Sequence, residues 1–261
     1  MSMIDGLISV PTLETITYSF VLVALLIYFV AGLVKGTLGI GFPTTAVSLL
    51  AQFTDARTAI SLVILPMIVT NLRQVWRSRQ VGWVLKGFWK LLVLMLIFIA
   101  VVSQLSSGVP VTWLSVLLGG IIVLYAASSL YKPVLSIPDK HDGTAQIATG
   151  ISAGVMGGLA GVWAPPILIY LATRKLGKEQ FVAVTGVLLL SGSCVLLVGY
   201  WNTGMANTSV LLVSSVLLLP SMFGMVLGEK FRHTLPAHRF ERLLLWFFLF
   251  MGLNLIRRAW A

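Results

Sequence analysis

Two stretches decide how this chain folds: A-G-L-V-K-G-T-L-G-I-G-F-P-T-T from Ala31 to Thr45, and T-G-I-S-A-G-V-M-G-G-L-A-G-V-W-A-P-P from Thr149 to Pro166. Each lies in a strongly apolar region and ends in proline. Each spaces its glycines four and then three residues apart (Gly32, Gly36, Gly39; Gly150, Gly154, Gly157). Glycines interrupt a membrane helix, and the freed backbone groups then need a neighbour or a polar cavity. A matched pair of interruptions in two halves of one chain points to a transporter's binding site.

Working outward, the surrounding sequence reads as an integral membrane protein. Of 261 residues, 58% are hydrophobic and 10% charged, against roughly 25% charged in soluble domains. No charged residue falls between Leu91 and Tyr131, or between Gln180 and Gly228. A spanning helix needs about 20 residues, so each run holds two helices joined by a turn, at 103–110 and 201–207. The single cysteine, Cys194, excludes an internal disulfide and reads as a small packing residue. The Met-Ser-Met-Ile-Asp start lacks a basic region, so no cleavable signal peptide is expected.

The segments repeat. Apolar stretches at 18–34 and 43–53 flank the first interruption, and spans follow at 57–75, 83–103 and 110–131. Stretches at 145–160 and 165–173 flank the second, followed by spans at 179–200, 207–227 and 240–258. The expected organisation is therefore a first repeat (1–131), a cytoplasmic linker (132–144) and a second repeat (145–261). The net charge of +10 is placed at helix ends, where it orients the protein and does not suggest nucleic acid. Of the 18 Lys and Arg residues, 14 fall on segments this topology puts inside the cell; Arg57, Arg257 and Arg258 fall outside and Lys35 is embedded. On that count both termini are external and the halves run in opposite senses. The predicted fold is an all-α helical bundle of two inverted repeats, each a glycine-broken re-entrant hairpin plus three transmembrane helices, with the hairpin tips meeting near the midplane. Eight ordinary spans whose glycines merely pack helices closely are the alternative.

The tips also suggest chemistry. After each interruption a helix restarts at proline, Pro43 or Pro165, which suits a first turn because its missing N–H would be unpaired there anyway. The other free N–H groups and the helix dipole make that end an anion site. The expected binding residues at the first tip are Lys35, Gly36, Gly39, Gly41, Pro43, Thr44 and Thr45. At the second they are Gly157, Gly158, Gly161, Trp163 and Pro165, with Ser191 from the following span. Lys35 either supplies a full positive charge to the pocket or snorkels to an interface. Trp163 is either a packing plug or a ligand contact. Thr70 and Asn71 are further polar residues inside a span.

Absences narrow the function. All eight acidic residues fall at helix ends or loops, so no mid-membrane carboxylate is expected to relay protons or bind sodium. The three histidines lie in loops, which leaves no intramembrane metal site, and no nucleophile with its base is evident. Neither an enzyme nor a cofactor is expected.

The segments G-L-V-K-G-T-L-G-I-G-F-P at 32–43 and G-I-S-A-G-V-M-G-G-L-A-G at 150–161, with Pro165-Pro166, resemble the TauE/SafE family of sulfite and organosulfonate exporters. Many members carry consecutive glycines in the first repeat; here Ile40 separates Gly39 from Gly41. The resemblance implies export of small sulfur-containing anions, such as sulfite or sulfoacetate, across a bacterial cytoplasmic membrane. An anion channel with the same pocket and a non-transporting membrane scaffold are the rival readings. The expected partners are a small anion and the lipid bilayer, with a homodimer left open.

Overall fold

The computed structural model describes residues 18–131, 137–174, 176–231 and 237–260. The chain there is helical throughout: α1 (Tyr18–Leu38), α2 (Phe42–Leu50), α3 (Ala56–Ser78), α4 (Val81–Ser106), α5 (Val111–Tyr131), α6 (Asp142–Ala160), α7 (Ala164–Ala172), α8 (Lys178–Asn202), α9 (Thr208–Phe231) and α10 (Ala237–Ala259). No strand occurs among the described residues. The predicted N-terminal 17 residues and the 132–136 part of the linker lie outside them.

Local chemistry sets several boundaries. Asp55 caps α3 by accepting from the Thr58 N–H at 3.0 Å, and Asn207 caps α9 by accepting from Val210 N–H at 2.9 Å. Gly39, Gly41 and Gly161 hold φ of 84°, 93° and 64° at the two interruptions, a region that costs other residues steric strain. Proline then occupies the first turn of both α2 and α7.

Six helices (α1, α3, α4, α5, α8 and α9) are long and apolar enough to cross a membrane. The charged and aromatic residues sort to the two ends of this bundle. One end carries the last turn of α3, the first turns of α4, α6 and α8, and the last turns of α7 and α9. There Arg73 and Arg77 bind Glu229, and Arg174 binds Asp142. Trp76, Trp83 and Trp89 are exposed at the same end, while Trp113, Trp201 and Trp260 are exposed at the other. Two such belts are what amphipathic rings form at the two membrane–water boundaries. The basic end also holds Arg79, Lys86, Lys90, Lys178 and Lys230, against Arg57, Arg257 and Arg258 opposite.

The packing partners follow the repeated order of elements. α1 lies against α9 and α6 against α4; α3 lies against α9 and α8 against α4; α3 pairs with α8, and α5 with α10. Exchanging the first five helices for the last five maps this pattern onto itself. The closest seams are built on glycine. A Cβ on Gly32 or Gly36 would collide with the α9 backbone at Ser221 and Met225, and one on Gly224 or Gly228 with α1 at Phe29 and Leu33. Small residues let membrane helices approach and gain dispersion contacts where no hydrophobic driving force acts between them. On α6, Gly150, Gly154 and Gly158 play this part against Leu91, Met95 and Val102 of α4.

The limbs of each hairpin are unequal, which corrects the midplane expectation. α1 and α6 have 21 and 19 residues, about 30 Å, whereas α2 and α7 have 9 each, about 13 Å. The first limb therefore runs most of the way across before it breaks. The first interruption lies toward the basic end of the bundle and the second toward the opposite end. α3 measures their offset: Lys35, one turn before the first break, reaches Asn71, while Gly161 in the second break abuts Ile60. Those two α3 residues are eleven positions apart, about 16 Å. The tips stand in series and do not meet.

Candidate functional site

Lys35 is 1% exposed in the last turn of α1. Its ammonium donates to Asn71 Oδ1, and among the described residues it makes no ion pair. An unneutralised ammonium away from water is costly, so this is the most unusual electrostatic feature of the bundle. It does not snorkel, because nothing of it reaches the surface.

Near the first break lie polar atoms with unused capacity. Among the described residues, Asn71 Nδ2, Thr44 Oγ1 and Tyr28 Oη are buried without a hydrogen-bond partner. Thr44 sits in the first turn of α2, directly after Pro43, where the backbone N–H groups also point out of the helix end. Tyr28 is seven residues before Lys35 and so on the same face of α1. Its ring meets Phe42, the first residue of α2, edge-on at 6.0 Å. A lysine cation, three unspent donors and a helix N-terminus thus border the first break, a combination suited to a small oxyanion.

Not every residue expected at this tip belongs to it. Thr45 spends its hydroxyl on Gly41 O at 2.7 Å. Gly36 lies in the α1–α9 seam, where a Cβ would stand 2.8 Å from Glu229 N. Gly39 and Gly41 shape the turn. Pro43 starts the helix.

The second break is differently filled. Trp163 is completely buried, and its indole occupies the space beside Gly157 and Gly192; a Cβ on either glycine would approach the ring to 2.9 or 3.0 Å. Its Nε1 has no hydrogen-bond partner among the described residues. Gly158 packs against Val102 and Ser103, so it serves a helix seam. Gly161 forms the turn and Pro165 the start of α7. Ser191 is half-buried on α8; the neighbouring Gly192, and not Ser191, is what Trp163 packs on. The structure therefore places Lys35 one turn before the first break and Thr44 in the helix turn that follows it, while Trp163 stands in the second break. Asn71 and Tyr28 go with the first break, and Asn71 was already visible as an amide inside an apolar span.

Toward the basic end, a cavity of about 410 Å³ opens between α3, α8 and α9, lined by Arg73, Gln74, Arg77, Val182, Met225 and Glu229, among others. Arg73 lies two residues beyond Asn71, so this cavity begins within one turn of the Lys35 partner. Nothing in the sequence singled it out, because its walls come from three distant segments. Among the described residues no cluster of His, Cys, Asp and Glu could hold a metal ion.

No curated protein and no solved structure matches the chain. A buried cation beside a proline-started helix, within an all-helical bundle of several spans, is the setting in which the family comparison falls. The model of the sulfite exporter TauE/SafE family matches residues 24–255, nearly the whole chain, and the protein belongs to that family.

Proposed function

We propose that the protein exports small sulfur-containing anions, sulfite or an organosulfonate such as sulfoacetate, from a bacterial cytoplasm, with Lys35 as the charge that holds the anion. The buried, unpaired Lys35 ammonium carries this reading: an entering anion supplies the counter-charge the fold leaves out. Thr44 and Asn71 add unspent donors beside the first break. We read the basic end as cytoplasmic by the positive-inside rule; the two halves would then be inverted repeats, with the first break on the loading side. The inside-negative potential then favours anion exit by about 2.3 kcal/mol per charge per 100 mV, so no carboxylate relay is needed.

Sulfite flux from proteoliposomes tests it. Wild type should show saturable flux, and Lys35→Met should lose about tenfold or more in apparent affinity while remaining folded. Lys35→Arg should fall between, since a planar guanidinium replaces a point charge. Unaltered affinity in Lys35→Met would remove Lys35 from the site, and ohmic single-channel current in wild type would turn the carrier into a channel.

A further inference from the structure

The cavity at the basic end already contains an anion, and it belongs to the protein. Glu229, near the end of α9, receives Arg73 Nε at 3.4 Å on Oε1 and Arg73 Nη2 at 3.0 Å on Oε2. Arg77 Nη1 reaches the same Oε2 at 2.6 Å. Two guanidiniums thus converge on one carboxylate, and Arg73 grips it with both prongs of its fork. That geometry recognises planar or pyramidal oxyanions as readily as carboxylates.

The surroundings distinguish this cluster from a surface ion pair. It lines a cavity of about 410 Å³, room for a small oxyanion with part of its hydration shell, given about 30 Å³ per water. The Glu229 side chain is 16% exposed and that of Arg73 29%, while Arg77 at 58% leans into solvent. Lys230 adds a further positive charge to the lining. Three cations therefore face one carboxylate, leaving an excess of positive charge at the mouth. Gln74, on the wall, is held by Val182 O at 2.7 Å and by Thr185 at 3.2 Å, which fixes α3 against α8. The Glu229 backbone abuts Gly36, the neighbour of Lys35.

We propose that Arg73 and Arg77 form a loading site for the anionic substrate at the basic mouth, occupied at rest by Glu229 as an internal stand-in that the incoming oxyanion displaces. The proposal rests on the transport reading above and adds a second anion position in series with Lys35. Glu229 offsets part of the charge of the arginine pair when no substrate is present and excludes anions that bind guanidinium too weakly to compete with it. Displacement frees the carboxylate to swing toward Lys230 or water, and the anion then stands within about two helical turns of Lys35.

Equilibrium binding of radiolabelled sulfite to the purified full-length protein separates this claim from the preceding one. Glu229→Gln removes the competing carboxylate, so one additional sulfite per chain should bind at a concentration where Glu229 still holds the arginines of wild type. That additional site should persist in the Glu229→Gln/Lys35→Met double variant and vanish on adding Arg77→Gln. If the Lys35 reading is wrong, Lys35→Met alone will bind sulfite like wild type; the Glu229→Gln result stands or falls independently. A Glu229→Gln protein that binds sulfite with wild-type affinity and number would overturn the loading site, as would an added site that survives Arg77→Gln. A kinetic arm needs no change at Glu229. Arg77→Gln should raise the sulfite concentration for half-maximal flux from the basic side about tenfold, whereas Arg79→Gln, exposed outside the cavity, should not. Equal behaviour of the two arginine variants would overturn the proposal as well.

Discussion

Aligned on their left-handed glycines, Gly39 and Gly161, the two breaks put different residues at equivalent places. Lys35 corresponds to Gly157, Gly41 to Trp163, and Pro43 to Pro165. In the first half a long cationic side chain leaves the last turn of the first limb, and the turn itself is bare. In the second half the last turn is bare, and the turn carries an indole that folds back over Gly157. Each pair fills one seam with one large side chain, but one filling is charged and the other apolar. The backbone device of glycine turn followed by proline-started helix is therefore shared, while its use is not. The first break keeps polar capacity unspent at Asn71, Thr44 and Tyr28, and the second closes its gap with a packed plug.

The largest effect should come from emptying that plug. Trp163→Ala leaves a cavity between Gly157, Gly192 and Ile99, and deletions of this size in a core cost about 3–5 kcal/mol. Thermal unfolding in detergent should show the loss, and wild-type stability of the variant would mean that the indole does not fill the seam. The corresponding change at the first break, Lys35→Met, should leave stability near or above wild type, because it removes an uncompensated buried charge. Opposite stability effects at equivalent seams would sharpen the contrast; similar ones would break it.

A smaller effect is expected at Gly157. Its added Cβ would lie 2.9 Å from the Trp163 ring and 3.2 Å from Ile99, and overpacking of this kind costs about 1–3 kcal/mol. Combining Gly157→Ala with Trp163→Leu should then lose less than the sum of the single variants, measured as a double-mutant cycle. Strict additivity would show that the two side chains do not share the space.

The smallest contrast lies within the first break itself. Thr44→Val removes a hydroxyl with no protein partner, and Thr45→Val removes one already given to Gly41 O. Sulfite affinity should fall by about three- to tenfold for the first and stay unchanged for the second. Equal losses would place both hydroxyls, or neither, at the anion.

Much of this molecule was legible before any coordinates. The element order followed from charge-free runs and from turn residues at 103–110 and 201–207, because a bilayer forces every span to be apolar and every break to be marked. Lys35 stood out for the same reason: a charge inside an apolar run must be accounted for. The glycines were harder to assign, since one residue type serves two needs. Gly36 and Gly158 turned out to bring helices together, while Gly39, Gly41 and Gly161 turn the chain, and spacing along one strand of sequence does not distinguish a seam from a turn.

Sequence alone determined the helical class, the repeated order of long and short elements, the sorting of cations to one end and the presence of a lysine inside an apolar run. These are properties of one-dimensional pattern, set by hydropathy, charge and backbone freedom at named positions. Tertiary structure decided the rest. It set how far each first limb runs before it breaks, and hence that the two tips stand at different levels along α3. It selected Asn71 as the acceptor for Lys35 and Glu229 as the partner of Arg73 and Arg77. Those pairings join residues 36 and more than 150 positions apart. They depend on which helix faces which, and that is fixed by the close glycine seams of α1 with α9 and α6 with α4, a property of two packed surfaces that neither segment carries by itself.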